Sequence, residues 1–298
     1  MGKLKRILVT TDLSTHSQFA LLRAVELAKR VKAQLTILHV AETSTLEKIM
    51  GNTIPIVRKV LITPEEYAES FLEKQVEKLS KQNLKINYMI LSGDNPARKI
   101  LHYAENNQFD LLVLGAHGRY SIRDCMVGTT AEYVARKSHL PILIVKKPVK
   151  NAYQKILVPT DFSAASGNAL KFARTLFPKA DLNVLHVGDH DYDDLLDSEN
   201  TIPKNKMKKV RDGLSMLLKD KTLKFMKKCG IRSAKSTCYI KFGYPGVVIV
   251  DEAKRMKLDL VIMGAEGHSQ RHYLFIGRVA SRVLMDLDRD VLLVPGNK

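Results

Sequence analysis

No tryptophan occurs anywhere in this chain of 298 residues, and only three cysteines do: Cys125, Cys229 and Cys238. An odd count without a C-x-x-C pair excludes a disulfide framework and a cysteine-built zinc site, and it fits a reducing compartment. Glycine and proline are scarce, at 16 and 10 positions, which excludes fibrous and low-complexity chains. Long apolar runs are missing as well. The opening MGKLKRILVTTDLS holds only a short apolar run, Ile7 to Val9, before a threonine pair and an aspartate, so no secretory leader is read there. No uncharged apolar stretch approaches the roughly 20 residues that span a bilayer. The expectation is a soluble, cytoplasmic protein with no membrane partner.

Acidic residues are also in deficit: 31 Asp and Glu stand against 48 Lys and Arg, a formal net charge of +17. Clustered cations displace counterions from phosphates, so a polyanion partner has to be considered. The excess divides evenly, however, with 23 basic and 14 acidic residues over 1–150 and 25 against 17 in the remainder. That reads as a general surface property. With no basic arm, zinc finger or RNA-binding aromatic motif, specific nucleic-acid recognition is not expected. What is abundant is ordinary core material, 45% hydrophobic residues, in a length that commonly makes two domains.

The chain repeats itself once. RILVTTDLS at Arg6 to Ser14 returns as KILVPTDFS at Lys155 to Ser163, and FDLLVLGAHG at Phe109 to Gly118 returns as LDLVIMGAEG at Leu258 to Gly267, both with an offset of 149. LTILHV at Leu35 to Val40 returns as LNVLHV at Leu182 to Val187, and LPILIV ending at Val145 returns as RDVLLV ending at Val294. Matched blocks in one order mean two copies of one domain, 1–149 and 150–298, with the boundary in Lys146 to Gln154.

Each copy alternates short apolar runs with amphipathic stretches. In the first, strands are expected at Ile7 to Val9, Leu35 to Val40, Asn87 to Leu91, Leu111 to Leu114 and Ile142 to Val145. Helices are expected at Ser17 to Val31, Glu65 to Gln82, Pro96 to Asn106 and Thr129 to Lys137, with Ser14 as a start signal for the first. Continuous apolar strands between helices indicate a parallel sheet covered on both faces. The fold class is therefore α/β: two tandem doubly wound, Rossmann-like domains, each a five-stranded parallel sheet flanked by helices. Ligands of such sheets bind outside the carboxyl ends of the strands, at the topological switch point.

At that end of the fourth strand stand Gly115, Gly118, Gly128 and Thr129, spaced G-x2-G-x9-G-T before a helix. Glycines let the backbone N–H groups approach a bulky anion, the helix start adds donors and a positive dipole end, and the threonine hydroxyl can reach a terminal phosphate oxygen. The chemistry suggested is triphosphate binding. Neither the Walker pattern nor the G-x-G-x-x-G fingerprint is present.

This frame, with Asp12 just after the first strand and His39-Val40 at the end of the second, resembles the universal stress protein family over essentially the whole chain, as a tandem of two domains. The resemblance implies an adenine-nucleotide-binding stress or signalling module, with ATP as cofactor, with or without Mg²⁺. In the family's ATP-binding branch the positions of Gly115, Gly118, Gly128 and Thr129 hold the phosphates, that of Asp12 contacts ribose, and that of Val40 lies by the adenine. Thr10 and Thr130 flank these and complete the expected site. The resemblance further implies that the final strands, Ile142 to Val145 and Val291 to Val294, pair to make a pseudo-dimer within one chain, with a further homodimer left open.

A weaker second site is expected at Pro159, Asp161, Val187, Gly264, Gly267, Gly277 and Arg278. There the glycine frame survives but Arg278 replaces the hydroxyl, either pairing with phosphate through its planar fork or filling the phosphate's space. Glu266 adds a negative charge where the first copy has His117, and the family's proline two before the aspartate is Pro159 here but Thr10 in the first copy.

Other residues carry blander alternatives. Asp12 and Asp161, each followed two residues later by serine, are also ordinary strand-to-helix turn residues. His39 and His186 read as hydrogen-bonded structural histidines rather than catalysts, and His117 either approaches phosphate or points outward. The acidic run 189–199 reads as a solvated loop with divalent-ion binding as the alternative, neutralising the basic runs Lys204 to Lys209 and Lys219 to Lys228. Cys125, near Arg119 and Arg123, reads as a plain loop cysteine with redox responsiveness as the alternative. No residue is assigned a catalytic role and no dedicated metal site is expected. The competing functions are a partner-binding stress protein without nucleotide and a slow ATPase.

Overall fold

In the first half the apolar runs become five strands: β1 (Arg6–Thr11), β2 (Gln34–Ala41), β3 (Ile86–Ser92), β4 (Leu111–Gly115) and β5 (Ile142–Val145). Between them lie α1 (Thr15–Val31), α2 (Pro64–Ser80), α3 (Pro96–Asn106) and α4 (Thr129–Lys137). The second half repeats the series with β6 (Lys155–Pro159), α5 (Ala164–Leu176), β7 (Asp181–Gly188), α6 (Lys204–Lys228), β8 (Ser236–Phe242), α7 (Pro245–Arg255), β9 (Leu260–Gly264), α8 (Arg278–Asp286) and β10 (Asp290–Val294). The structure is a computed structural model and describes residues 4–41, 63–118, 127–188, 204–232, 236–267 and 276–296. Cys125 and the acidic run 189–199 lie outside the described residues. The chain divides into two compact units, 2–150 and 151–298.

Within the first unit the strand order is β3-β2-β1-β4-β5, and within the second it is β8-β7-β6-β9-β10. Every neighbouring pair inside each unit is parallel. The 149-residue offset is kept in the hydrogen-bond register: Ile7 pairs with Leu111 in one copy and Ile156 with Leu260 in the other. Ile7, Leu8, Val9 and Leu111 to Val113 are fully buried, as are Ile156 to Val158 and Leu260 to Ile262. Burial on both faces is why these strands read as unbroken apolar runs.

Local signals set the boundaries. Ser14 and Ser163 cap α1 and α5 by accepting from the N–H of Ser17 and Ser166, both at 3.2 Å. Thr63 and Glu66 form a reciprocal capping box on α2, and Asn95 caps α3 ahead of Pro96; each such cap is worth about 1 kcal/mol. Asp110 braces β1 from the opposite end of the sheet, its carboxylate accepting from the N–H of Lys5 and Arg6 at 2.7 and 2.9 Å. Asp259 does the same for Gln154 and Lys155.

Two sequence expectations are corrected. The first strand does not stop at Val9 but runs through Thr11, because β-branched threonines suit a strand and Thr10 and Thr11 pair with Leu38 and His39. In the second half the charge is not a general surface property either. Both basic runs of the second half fall on the single helix α6, whose 25 residues hold ten Lys and Arg against Asp212 and Asp220. That net of +8 equals the whole excess of residues 151–298, 25 basic against 17 acidic. Its counterpart α2 carries five glutamates against two lysines. Among the described residues no helix is long and apolar enough to cross a membrane. Burial raises the thiol pKa of Cys229 and of Cys238.

Candidate functional site

The strand order reverses between β1 and β4, and between β6 and β9, so each unit opens a crevice at the carboxyl ends of those strands. In the first unit the chain leaves β1 at Thr11, passes Asp12, and turns into α1 through Leu13, whose φ of 65° is left-handed. That conformation is unusual for a branched side chain, and it recurs at Phe162 with φ 68°. Hydroxyls hold the turn: Thr11 Oγ1 lies 2.9 Å from Ser17 Oγ and accepts from Leu13 N–H at 3.0 Å. The same pair, Thr160 and Ser166 at 3.1 Å, holds the second copy. These four residues were not among the expected site residues, although they repeat at the common offset in sequence.

The two carboxylate oxygens of Asp12 face different ways. Its Oδ1 accepts from the N–H of Ser14 at 3.1 Å, the turn role. Its Oδ2 faces the glycine loop, where a Cβ on Gly118 would stand 3.1 Å away. A side chain at Gly118 would press on the carboxylate, which would have to yield by a few tenths of an ångström. Asp161 repeats both relations, with Ser163 N–H at 3.0 Å and a Cβ on Gly267 at 3.2 Å.

The loop is pinned from the sheet side, since Ala116 N–H donates to Val145 O at 2.9 Å and Gly128 N–H to Ala116 O at 2.7 Å. Gly128 is the N-cap of α4 and brings no side-chain cap. The first N–H groups of α4, beginning with exposed Thr129 and half-buried Thr130, thus lie beside the loop that carries Gly118. Such an end favours an anion. Val40 is half-buried near the end of β2, and Thr10 is buried within β1. Asp12, Gly115, Gly118, Gly128 and the start of α4 are brought together; the stretch 119–126 lies outside the described residues.

In the second unit Gly277 caps α8 in the same way, and exposed Arg278 opens that helix in place of Thr129. Pro159 ends β6 and Val187 lies in β7. Glu266 ties the loop to the chain beyond β10, its Oε2 accepting from Gly296 N–H at 2.9 Å. Phe162, where the first copy has Leu13, stacks 4.4 Å from the ring of His186 and lies under the Lys221 ammonium at 4.3 Å. The second crevice is therefore lined by different chemistry on the same backbone.

The strand-end histidines act as braces. His39 Nδ1 and His186 Nδ1 sit 2.8 Å from the carbonyl oxygens of Thr11 and Thr160. Burial lowers the pKa of His186, the carbonyl bond opposes that shift, and Lys221 adds to it. His117 stands edge-on to His16 with ring centroids 5.6 Å apart. Among the described residues no group of three or more His, Cys, Asp or Glu could hold a metal ion.

The profile of the universal stress protein family matches residues 3–146 and again 152–295. Universal stress protein MJ0531 of Methanocaldococcus jannaschii is 31% identical over 148 residues, 49% of this chain and 84% of that protein. The universal stress protein E homolog of Haemophilus influenzae is 23% identical over 329 residues, 99% of both chains. The crystal structure of a universal stress protein from Archaeoglobus fulgidus covers 98% of each chain with a TM-score of 0.66 at 19% identity, a likeness of fold. The repeated sequence, the doubled sheet order and the profile matched once in each half give one result: the chain belongs to the universal stress protein family, as a tandem two-domain member.

Proposed function

We propose that the first copy binds ATP and that the chain's output in the stress response is the conformation that nucleotide sets, with no chemical step required. One observation carries the reading: Asp12 Oδ2, Gly118 and the glycine-capped start of α4 converge at the β1/β4 switch point. Asp12 takes the ribose hydroxyls, and Val40 with Thr10 lines the base side. Gly115, Gly118 and Gly128 admit the phosphates to backbone N–H groups, with Thr129 and Thr130 supplying hydroxyls. Mg²⁺ would be held by phosphate oxygens and water rather than by a dedicated protein cage. The second copy, with Arg278 for Thr129, is the structural partner in an intramolecular pseudo-dimer. Turnover stays below about 1 s⁻¹, since among the described residues none is placed as a base for an attacking water.

The test is to purify the full chain, identify the nucleotide that accompanies it, and repeat with Gly128→Val and Gly277→Val. A Cβ at either glycine meets protein atoms no closer than 3.4 Å, and neither φ is positive; thermal melts matching the wild type show that the valine variants keep the fold, and the readout is then ligand loss. Loss in the Gly128 variant alone is expected. Loss in the Gly277 variant alone would move the site to the second copy. Wild-type protein that neither retains nucleotide nor binds ATP in calorimetry would favour partner binding without nucleotide.

A further inference from the structure

Among the described residues, helix α6 packs by one face. Thr222, Met226 and Cys229 just beyond its end are buried, and Phe225 is half-buried against Phe162. On the opposite arc, at helical spacing, lie Lys209, Val210, Met216, Leu217, Leu223, Lys224, Lys227 and Lys228, all exposed. Met216 and Leu217 are 77% and 70% exposed, the largest values among the exposed large apolar residues. Solvated basic helices ordinarily carry polar residues there. This one adds four apolar side chains to its lysines, whereas Tyr67 is the large apolar residue exposed on α2.

We propose that the outer face of α6 is a docking surface for an anionic phospholipid bilayer. The proposal is independent of the nucleotide reading. Charge complementarity supplies the attraction, because on this arc Lys209, Lys224, Lys227 and Lys228 outnumber Asp220, which pairs with Lys224 at 2.6 Å. The apolar side chains choose the occupant. Met216, Leu217, Leu223 and Val210 would gain from entering the acyl boundary, while the lysine stems lie along them and carry their ammonium groups to headgroup phosphates. A nucleic acid would meet the lysines equally well but offers those four residues nothing. The earlier expectation of no membrane partner came from the lack of a spanning segment, which leaves surface binding untouched.

Flotation of the full chain with vesicles of phosphatidylcholine alone, or mixed equally with phosphatidylglycerol, tests this. Binding to the anionic vesicles only is expected, weakened as salt rises from about 50 to about 500 mM and screening shortens. Replacing Lys209, Lys224, Lys227 and Lys228 by Gln should lower partitioning more than about a hundredfold, at roughly fivefold per lysine. Met216→Ser with Leu217→Ser leaves the charge unchanged and should cost about tenfold. All six side chains are exposed, so thermal melts should match the wild type. Failure of the wild-type chain to bind anionic vesicles overturns the proposal without touching the nucleotide site. Duplex DNA bound as tightly as vesicles, with the Met216/Leu217 pair irrelevant, would overturn it in favour of nucleic acid.

Discussion

The two oxygens of Asp12 face different ways, one into the turn that starts α1 and one toward the glycine loop. Asp12→Asn keeps an acceptor for Ser14 N–H and removes the charge, so stability should hold while ATP affinity falls about tenfold, as one lost charge-assisted bond implies. Asp12→Ala should lose affinity and about 1–2 kcal/mol of stability as well, read in denaturant melts beside calorimetric titrations. From sequence, the turn and the ligand contact looked like rival readings of this residue, since spacing does not say where each oxygen points. The structure gives the turn to Oδ1 and aims Oδ2 at the loop. His186 carries a prediction of its own. Its folded pKa is lowered mainly by burial, so the unfolded chain binds the proton more tightly and the group's contribution is complete above the ordinary value of 6.5. Stability from this group is lost as pH falls below that value, until the folded imidazole also protonates. An NMR titration should place the His186 midpoint below 6.5, and a midpoint at or above it would contradict the cause assigned.

Elements with sharp punctuation were legible and those without were not. Pro96, Gly128 and Pro141 mark α3, α4 and β5, and the periodicity reading matches the observed bounds of all three. Helix α6 was read only as two basic runs, because its apolar residues fall on both faces and blur the 3.6-residue period. The glycine frame of the site was legible because glycine's effect is local to the backbone. The hydroxyl pairs Thr11–Ser17 and Thr160–Ser166 were not, since they join a strand end to the next helix across a turn whose shape rests on left-handed Leu13 and Phe162. Asp110 and Asp259 were equally silent, lying inside the matched blocks at the far end of the sheet. Asp259→Ala removes two backbone bonds to the start of β6 and should cost about 2 kcal/mol. Native-state hydrogen exchange should then speed up across β6 and β9 while β1 and β4 keep their protection.

Across the whole molecule, even charge division conceals uneven placement: the excess of the second half sits on one helix, while the corresponding helix of the first half is acidic. The two switch points differ in the same fashion, with shared backbone and separate side chains. Arg278→Thr should therefore raise the bound nucleotide from one equivalent toward two, counted by equilibrium dialysis. A count that stays at one would show that Phe162 and its stacked neighbours, rather than Arg278, close the second crevice. The conserved register has a practical consequence. Because Ile7–Leu111 and Ile156–Leu260 are the same pairing carried forward by 149 positions, a probe attached at equivalent sites in the two halves starts from the same backbone geometry. Each polypeptide is thus its own matched reference: solvent, temperature, concentration and labelling chemistry are identical for both reporters, and a difference between their signals isolates the handful of side chains at the strand ends.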